Sequence, residues 1–393
     1  MSNSKYSLPA GVLAAALALA TTACSADMAT GDAAAEHEAV QAPADVTAAR
    51  PDGGAAVPAI EEAFVSALTP DDNIDSPAAW TAPDGTTWVI ATAKATDRLV
   101  VYDGATGETL RSVGSLGIGE GQFERPNGVA VVDDPGSGPG QALLFVVERD
   151  NHRVQVLRLP EFAHVVTFAA EDLVKPYGLW VNRADGGYEV YVTDSYDEGE
   201  DAQGEDILPP LEKLDRRVHR YALKPAGEGF EVTRLGAFGD TGPEGALRVV
   251  ESIWGDPATD RLLIAEEDET YANELKVYDL AGRFAGRTVG RDVFKAQAEG
   301  IMLKTCANGS GWWLTTEQGP SRTVFHLFDR DTLEHAGAVT GRTVANTDGI
   351  WLHDVPSERF PDGVLYAVHD DQGVVAFDWA EIARAAKLPG CAR

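Results

Sequence analysis

Cysteine is scarce in this 393-residue chain, with three copies, and one of them, Cys24, falls in the N-terminal leader. Cys306 and Cys391 would remain after processing; export permits a disulfide between them, but two cysteines do not make a stapled framework. Basic residues are also few: 32 Lys and Arg stand against 62 Asp and Glu, a formal net charge of −30. Such a surface argues against nucleic acid or an anionic membrane as a general partner and leaves room for cations. Long apolar runs are missing beyond the leader, so no later segment is a candidate transmembrane helix. Familiar hydrolase signatures are missing too. There is no Gly-x-Ser-x-Gly elbow, and none of the eight histidines falls into a metal-ligand spacing. Cys306 has Trp312 six positions later, not the arginine of a thiolate phosphatase loop, and the DRDTL run at Asp329–Leu333 reads as a hairpin turn.

What is present begins with targeting. Lys5, the short apolar core Gly11–Ala20 and small residues before Cys24 read as a signal peptide over residues 1–24. Thr21-Thr22-Ala23-Cys24 fits a bacterial lipoprotein cleavage site with Cys24 lipidated, although leucine is usual where Thr21 stands; simple secretion is the other outcome. Residues 25–60, rich in Ala, Asp, Glu and Pro, read as a disordered tether, and 61–393 as the folded domain. The expectation is an exported monomer, a periplasmic or outer-membrane lipoprotein or a secreted protein, that touches membrane only through a lipid anchor.

From about Asp75 the chain repeats. Six short apolar strands end in polar groups: WVIATAK, LLFVVERD, EVYVTDS, RLLIAEED, GWWLTTEQ and GVLYAVHDD. Each is preceded by a polar-to-apolar lead-in and followed by alternating strands joined by Asp/Gly turns. Four strands returning about every fifty residues predict an all-β fold, a six-bladed β-propeller of four-stranded antiparallel blades. Residues 196–217 (YDEGEDAQGEDILPPLEKLDRR) interrupt the third unit as an acidic surface insertion, and Trp379–Lys387 reads as a short helix.

The propeller gives the polar positions a common address. The six lead-ins carry Asp75, Asn127, Tyr177, Glu251, Glu299 and Asp348, and the strand ends carry Lys94, Arg149, Glu267, Gln318 and His369 or Asp370. Asp and Asn commonly serve turns, and any single strand end can be simply solvated. Glutamate is not a preferred turn residue, however, and carboxylates gathered on one face of a ring offer the oxygen ligands that calcium favours. Lys94 and Arg149 beside them suit a phosphate.

Two resemblances meet on these residues. Gly119–Leu159 resembles a single NHL repeat, which implies a blade and no chemistry. More broadly, DSPAAW, IATAK with VYD, PYGLW, IAEEDE, AEGI, TTEQG, NTDGI and DWAEIA, in this order between about Asp75 and Ala385, resemble the β-propeller phytases. That resemblance implies a 3-phytase-type phosphoric monoester hydrolase that binds several Ca2+ ions. Its substrates are phytate (myo-inositol hexakisphosphate) or related inositol phosphates, hydrolysed by metal-activated water. It assigns Glu251, Glu267, Glu299, Asp348 and Asp75 to metal, with Glu251 and Glu267 also catalytic. Lys94, Arg149, Tyr177 and Gln318 would contact substrate phosphate. The sequence departs from the pattern at Ser76, Ser195 and Gln297, and Arg342 stands near a place where an acid is expected. Two other readings remain: a non-catalytic NHL-like propeller lipoprotein that binds a partner or ligand, and a lactonase-like hydrolase with one central calcium.

Overall fold

Each of the six apolar runs is a strand buried on both faces between neighbouring sheets, which is why it reads as continuous rather than alternating; Ala142–Glu148 is buried at all seven positions. The structure, a computed structural model, describes residues 56–391 apart from 135–137, 139, 185 and 205. Cys24, the signal peptide and the tether through residue 55 lie outside the described residues.

Six antiparallel sheets form the expected six-bladed β-propeller. Blade one runs Ile74–Thr81, Thr87–Ala93, Arg98–Asp103 and Thr109–Val113, from the inner strand outward. Blade two begins with Pro126–Asp133 and Ala142–Glu148, blade three with Pro176–Ala184 and Gly187–Asp194, and blade four with Ile253–Asp256 and Arg261–Glu266. Blade five consists of Gln297–Thr305, Gly311–Gln318, Val324–Asp329 and His335–Gly341. Blade six has Ile350–His353, Val364–His369 and Gly373–Asp378, and takes its fourth strand from the other end of the chain. Phe64–Val65 pairs antiparallel with it, Phe64 opposite Ala376. This pairing closes the ring with backbone hydrogen bonds that no local sequence contact supplies.

The folded domain starts earlier than the sequence suggested. Ala59–Ile60, assigned above to the tether, adds a fifth, parallel strand to blade five with Ala59 opposite Thr340, because Val57 and Ile60 are apolar and buried there. Glu62 then accepts hydrogen bonds from the backbone N–H groups of Thr343 and Val344.

At the other end, Asp378 caps a helix, Trp379–Ala385, by accepting from the N–H of Ala380, and Trp379 and Ile382 bury its inner face. The Cys306–Cys391 disulfide then fastens the chain end to blade five across 85 residues. The insertion at 196–217 lies mostly at the surface with one 3-10 turn, Leu211–Lys213. Its end is fixed by Arg217, fully buried, whose guanidinium donates to the carbonyls of Asp194, Tyr196, Leu247 and Arg248. Among the described residues, no helix is long and apolar enough to cross a membrane.

Candidate metal centre

The lead-in residues face the channel because the inner strands break step where they occur. Register shifts lie between Ile74 and Pro77, Pro126 and Val129, Pro176 and Leu179, and Glu299 and Ile301. In blades four and six the inner strand starts only two residues later, at Ile253 and Ile350. A bulge adds a residue and re-aims its side chain out of the strict alternation. In blades two, three, five and six the residue that follows is Gly, because the next blade's backbone is there. A Cβ on Gly178 would lie 2.1 Å from the Glu251 carbonyl oxygen, and one on Gly128 2.6 Å from that of Tyr177. Threonines of the second strands bridge the gap. Thr193 Oγ1 accepts from Gly178 N and donates to Glu251 O, both at 2.8 Å, and Thr92 Oγ1 donates to Asn127 O at 2.6 Å.

Blades four and five bring three carboxylates together. Oxygens of Glu251, Glu267 and Glu299 all lie within 4.8 Å of one another, and Glu267 and Glu299 are 3% and 4% exposed. Backbone N–H of Ser252 points at Glu267 Oε1 at 3.4 Å, and Ser252 Oγ lies 3.5 Å from Glu299 Oε2. Burial and the neighbouring Asp75 push the Glu251 carboxyl up to about 7, with Lys94 opposing. Burial, Glu299 and Glu251 raise Glu267 well above the usual carboxylate range; burial, Glu251 and Asp348 do the same to Glu299. Three such groups cannot all ionise side by side in a buried setting without a cation. Their donor set is carboxylate oxygen alone, which fits a hard divalent ion such as Ca2+.

The acids flanking Glu267 do other work. Glu266 accepts from the backbone N–H of Arg248, Val249 and Asp268, and Asp268 accepts from Thr270. Glu269 is exposed. Of the four consecutive acids at 266–269, only Glu267 joins the three-carboxylate cluster.

Blades one, three and six, with Gln318 from blade five, make a second group. Lys94 Nζ lies 2.6 Å from Asp75 Oδ1 and 4.0 Å from Asp348 Oδ2, and donates to Tyr177 Oη at 3.1 Å. Tyr177 Oη in turn donates to Asp75 Oδ1 at 2.9 Å, and Ser76 Oγ to Asp75 Oδ2 at 2.8 Å. Gln318 donates its amide to Asp348 Oδ1. Burial alone would lower the Lys94 ammonium, but Asp75 and Asp348 more than reverse it, so Lys94 stays charged. Burial and Asp75 hold the Tyr177 hydroxyl well above its ordinary range, so it stays protonated. Asp348 is raised by burial and by Asp75, against the pull of Lys94.

The two groups share one cavity of about 70 Å³, lined by Tyr177, Glu251, Glu299 and Asp348. Trp254 and Trp351, from blades four and six, also line it and meet edge to face across the channel with ring centroids 5.7 Å apart. These aromatics form part of the cavity wall.

Of the sequence-derived site residues, Arg149 has its own ion-pair partner outside the two groups. Its guanidinium pairs with Asp150 at 3.2 Å, and its charge reaches Glu251 through space. His369 accepts from the backbone of Ala345, and Asp370 accepts from Gln372; neither is brought to the cluster. The departures are structural facts as well. Ser195 Oγ accepts from Val250 N, and Gln297 donates to the Glu267 carbonyl. Arg342 pairs with Glu61, away from the ring. Sequence reasoning missed Ser252, a backbone and hydroxyl donor to two of the glutamates, and Asp371, which hydrogen-bonds Asp348. Their only signal was adjacency to positions already marked. Asn127 holds the ring position between Asp75 and Tyr177, buried, with neither amide atom hydrogen-bonded.

No protein-family model matches the chain, and no curated protein matches it. Among solved structures, the hydrazine synthase of Kuenenia stuttgartiensis is 12% identical over 82% of this chain and 96% of that one, with a TM-score of 0.45. The structure of BBS1N in complex with ARL6DN is 10% identical over 74% and 73% of the two chains, with a TM-score of 0.42. These likenesses say nothing about chemistry.

Proposed function

We propose that this chain is a calcium-dependent phosphomonoester hydrolase acting on phytate-like inositol phosphates at the acidic well. The observation that carries the reading is the three-glutamate cluster, with Glu267 and Glu299 buried and Glu251 half-buried, and with Lys94 and Arg149 on its flank. A divalent cation bound there supplies a water of lowered pKa and offsets phosphoryl charge. Glu251, Glu267 and Glu299 are the residues that would hold it, with Ser252 fixing the orientation of two of them.

The rest is done by the chain's own groups. Lys94 carries three N–H donors; Asp75 and Tyr177 take two, and a phosphoryl oxygen would take the third. The Tyr177 hydroxyl keeps its proton and orients Lys94. Arg149 would exchange Asp150 for an incoming phosphate. Gln318 holds Asp348 so that its charge faces Lys94. No side-chain nucleophile is needed, in keeping with the lack of one in the sequence. Export as a lipoprotein or in secreted form belongs to the same proposal.

One observation favours the second reading, a cation-binding propeller without catalysis: Lys94 is already neutralised by Asp75, and Ser195 brings no further cation. Phosphate release from phytate, followed with calcium, with chelator and for Glu267→Ala, separates the two. Release that needs both calcium and Glu267 is the expected result. Calcium binding by calorimetry without release would leave only the binding reading, and release that survives both chelation and substitution would remove the metal from the reaction.

A further inference from the structure

We propose a second ligand site at the opposite mouth of the channel, suited to a free α-amino acid with an apolar side chain, its ammonium on Asp133 and His353 and its carboxylate on Arg183. The acidic well is built from the starts of the inner strands, and this cavity from their ends. Thr81, Asp133 and His353 close the inner strands of blades one, two and six, and Arg183 stands one residue before the end of that of blade three. Together they line a cavity of about 530 Å³, a volume within the range of small-molecule sites. Trp351 is the one lining residue that it shares with the well.

His353 is anchored on one side only. It is 7% exposed, and its Nε2 lies 2.7 Å from Thr81 Oγ1, which in turn lies 2.9 Å from Thr87 Oγ1. Its Nδ1 meets no partner among the described residues. Burial holds the ring down to about 4, so it is neutral at pH 7. With Nε2–H donating to Thr81, and Thr81 to Thr87, the Nδ1 lone pair is left for a donor on a ligand. A fixed nitrogen without a protein partner is the kind of polar group that orients a ligand in an otherwise apolar pocket.

Asp133 and Arg183 carry opposite charges that do not neutralise each other. Arg183 Nη2 donates to the backbone carbonyl of Asp133, not to its carboxylate, and that carboxylate forms no ion pair among the described residues. Its charge reaches His353 through space, which puts carboxylate and imidazole within reach of one ammonium. A lone cation here would be opposed by Arg183 and a lone anion by Asp133, whereas a zwitterion satisfies both. Trp80, Val131, Val132, Val181 and Leu352 supply an apolar wall, which favours a hydrocarbon side chain such as that of leucine. The site does not depend on the proposed reaction.

The test is calorimetric titration of the full chain with L-leucine, with leucinamide, which lacks the carboxylate, and with N-acetylleucine, which lacks the ammonium. One leucine per chain is expected, with each analogue bound at least tenfold more weakly. Asp133→Asn and Arg183→Met, both at exposed positions, should each weaken leucine binding at least tenfold. Arg183→Met should leave leucinamide binding unchanged, and Asp133→Asn that of N-acetylleucine, because the group each residue meets is already gone. Glu267→Gln should leave leucine binding as it is, which separates this site from the acidic well. No leucine binding, or equal leucine binding by the unaltered chain and both variants, would overturn the proposal.

Discussion

The two halves of the well are built on equivalent positions of the same ring and end with opposite electrostatics. On the side of blades one, three and six, Asp75 and Asp348 share the ammonium of Lys94, with Tyr177 and, from blade five, Gln318 completing the hydrogen bonds. On the side of blades four and five, Glu251, Glu267 and Glu299 meet with a serine and no cation in contact among the described residues. The contrast comes down to one strand end: blade one supplies lysine where blade four supplies glutamate. A propeller repeats its backbone, so a single change at a repeated position turns a self-neutralised cluster into one that requires an ion. The difference teaches that the fold sets convergence while the residue at the strand end sets what converges.

Breaking the neutral half should have the largest effect. Lys94→Met leaves Asp75, fully buried, without its counter-ion, and removing one partner of a buried pair costs about 3–5 kcal/mol. Denaturant unfolding in chelator should show that loss, and added calcium should recover part of it if the well can accept an ion in place of the ammonium. An unchanged midpoint would mean that the pair contributes nothing. Next in size, Glu267→Gln should lower calcium affinity by at least tenfold, about 1.4 kcal/mol, because one of three charged ligands becomes a neutral amide. Calorimetry that gives equal affinity for the two forms would remove the trio from cation binding.

The pH profile sharpens the comparison further. The folded chain holds Glu251 protonated up to about pH 7, whereas in the unfolded chain it ionises near 4.5. The unfolded state therefore gives up its proton first as pH rises, and the chelated protein loses stability between about pH 4.5 and 7. Glu267 and Glu299, also raised by burial and by their neighbouring carboxylates, add to that loss. His219 and His353, both lowered to about 4 chiefly by burial, act in the opposite direction over much of the same window: the stability they contribute falls as pH drops from 6.5 toward 4. Melting temperatures across pH should thus show a gain on adding calcium that grows as pH rises through this window, because calcium removes the carboxyl contribution and leaves that of the histidines. Parallel curves with and without calcium would contradict it. The smallest effect is expected from Gln318→Ala, which removes one donor to Asp348 and should cost about 1 kcal/mol, with calcium affinity nearly unchanged.

Much of this was legible in the chain. The apolar runs, the lead-ins and the six strand ends could be aligned by eye, because hydrogen bonding inside a blade is local and imposes its period on the sequence. Glu267 could be singled out from four consecutive acids only as one position in that register. The clustering of Glu251, Glu267 and Glu299 followed from the fold class. The early start of the domain was not legible, since Ala59–Ile60 and Phe64–Val65 are too short to carry a period and gain their partners from blades five and six. Nor was the meeting of Asp133, Arg183 and His353 at one cavity, because they stand on three different inner strands and no local spacing relates them.

The sequence by itself thus determined the number of blades, the order of the site residues and the acidic character of the well. Only the tertiary structure decided which residues share a charge. Lys94 meets Asp348 because the ring brings blade six beside blade one, and Asp75 meets Tyr177 because bulges turn both side chains toward the channel. A strand's period fixes which way a side chain points within its own sheet. Closure of the ring, and the two-residue irregularities at its inner edge, fix what that side chain then finds.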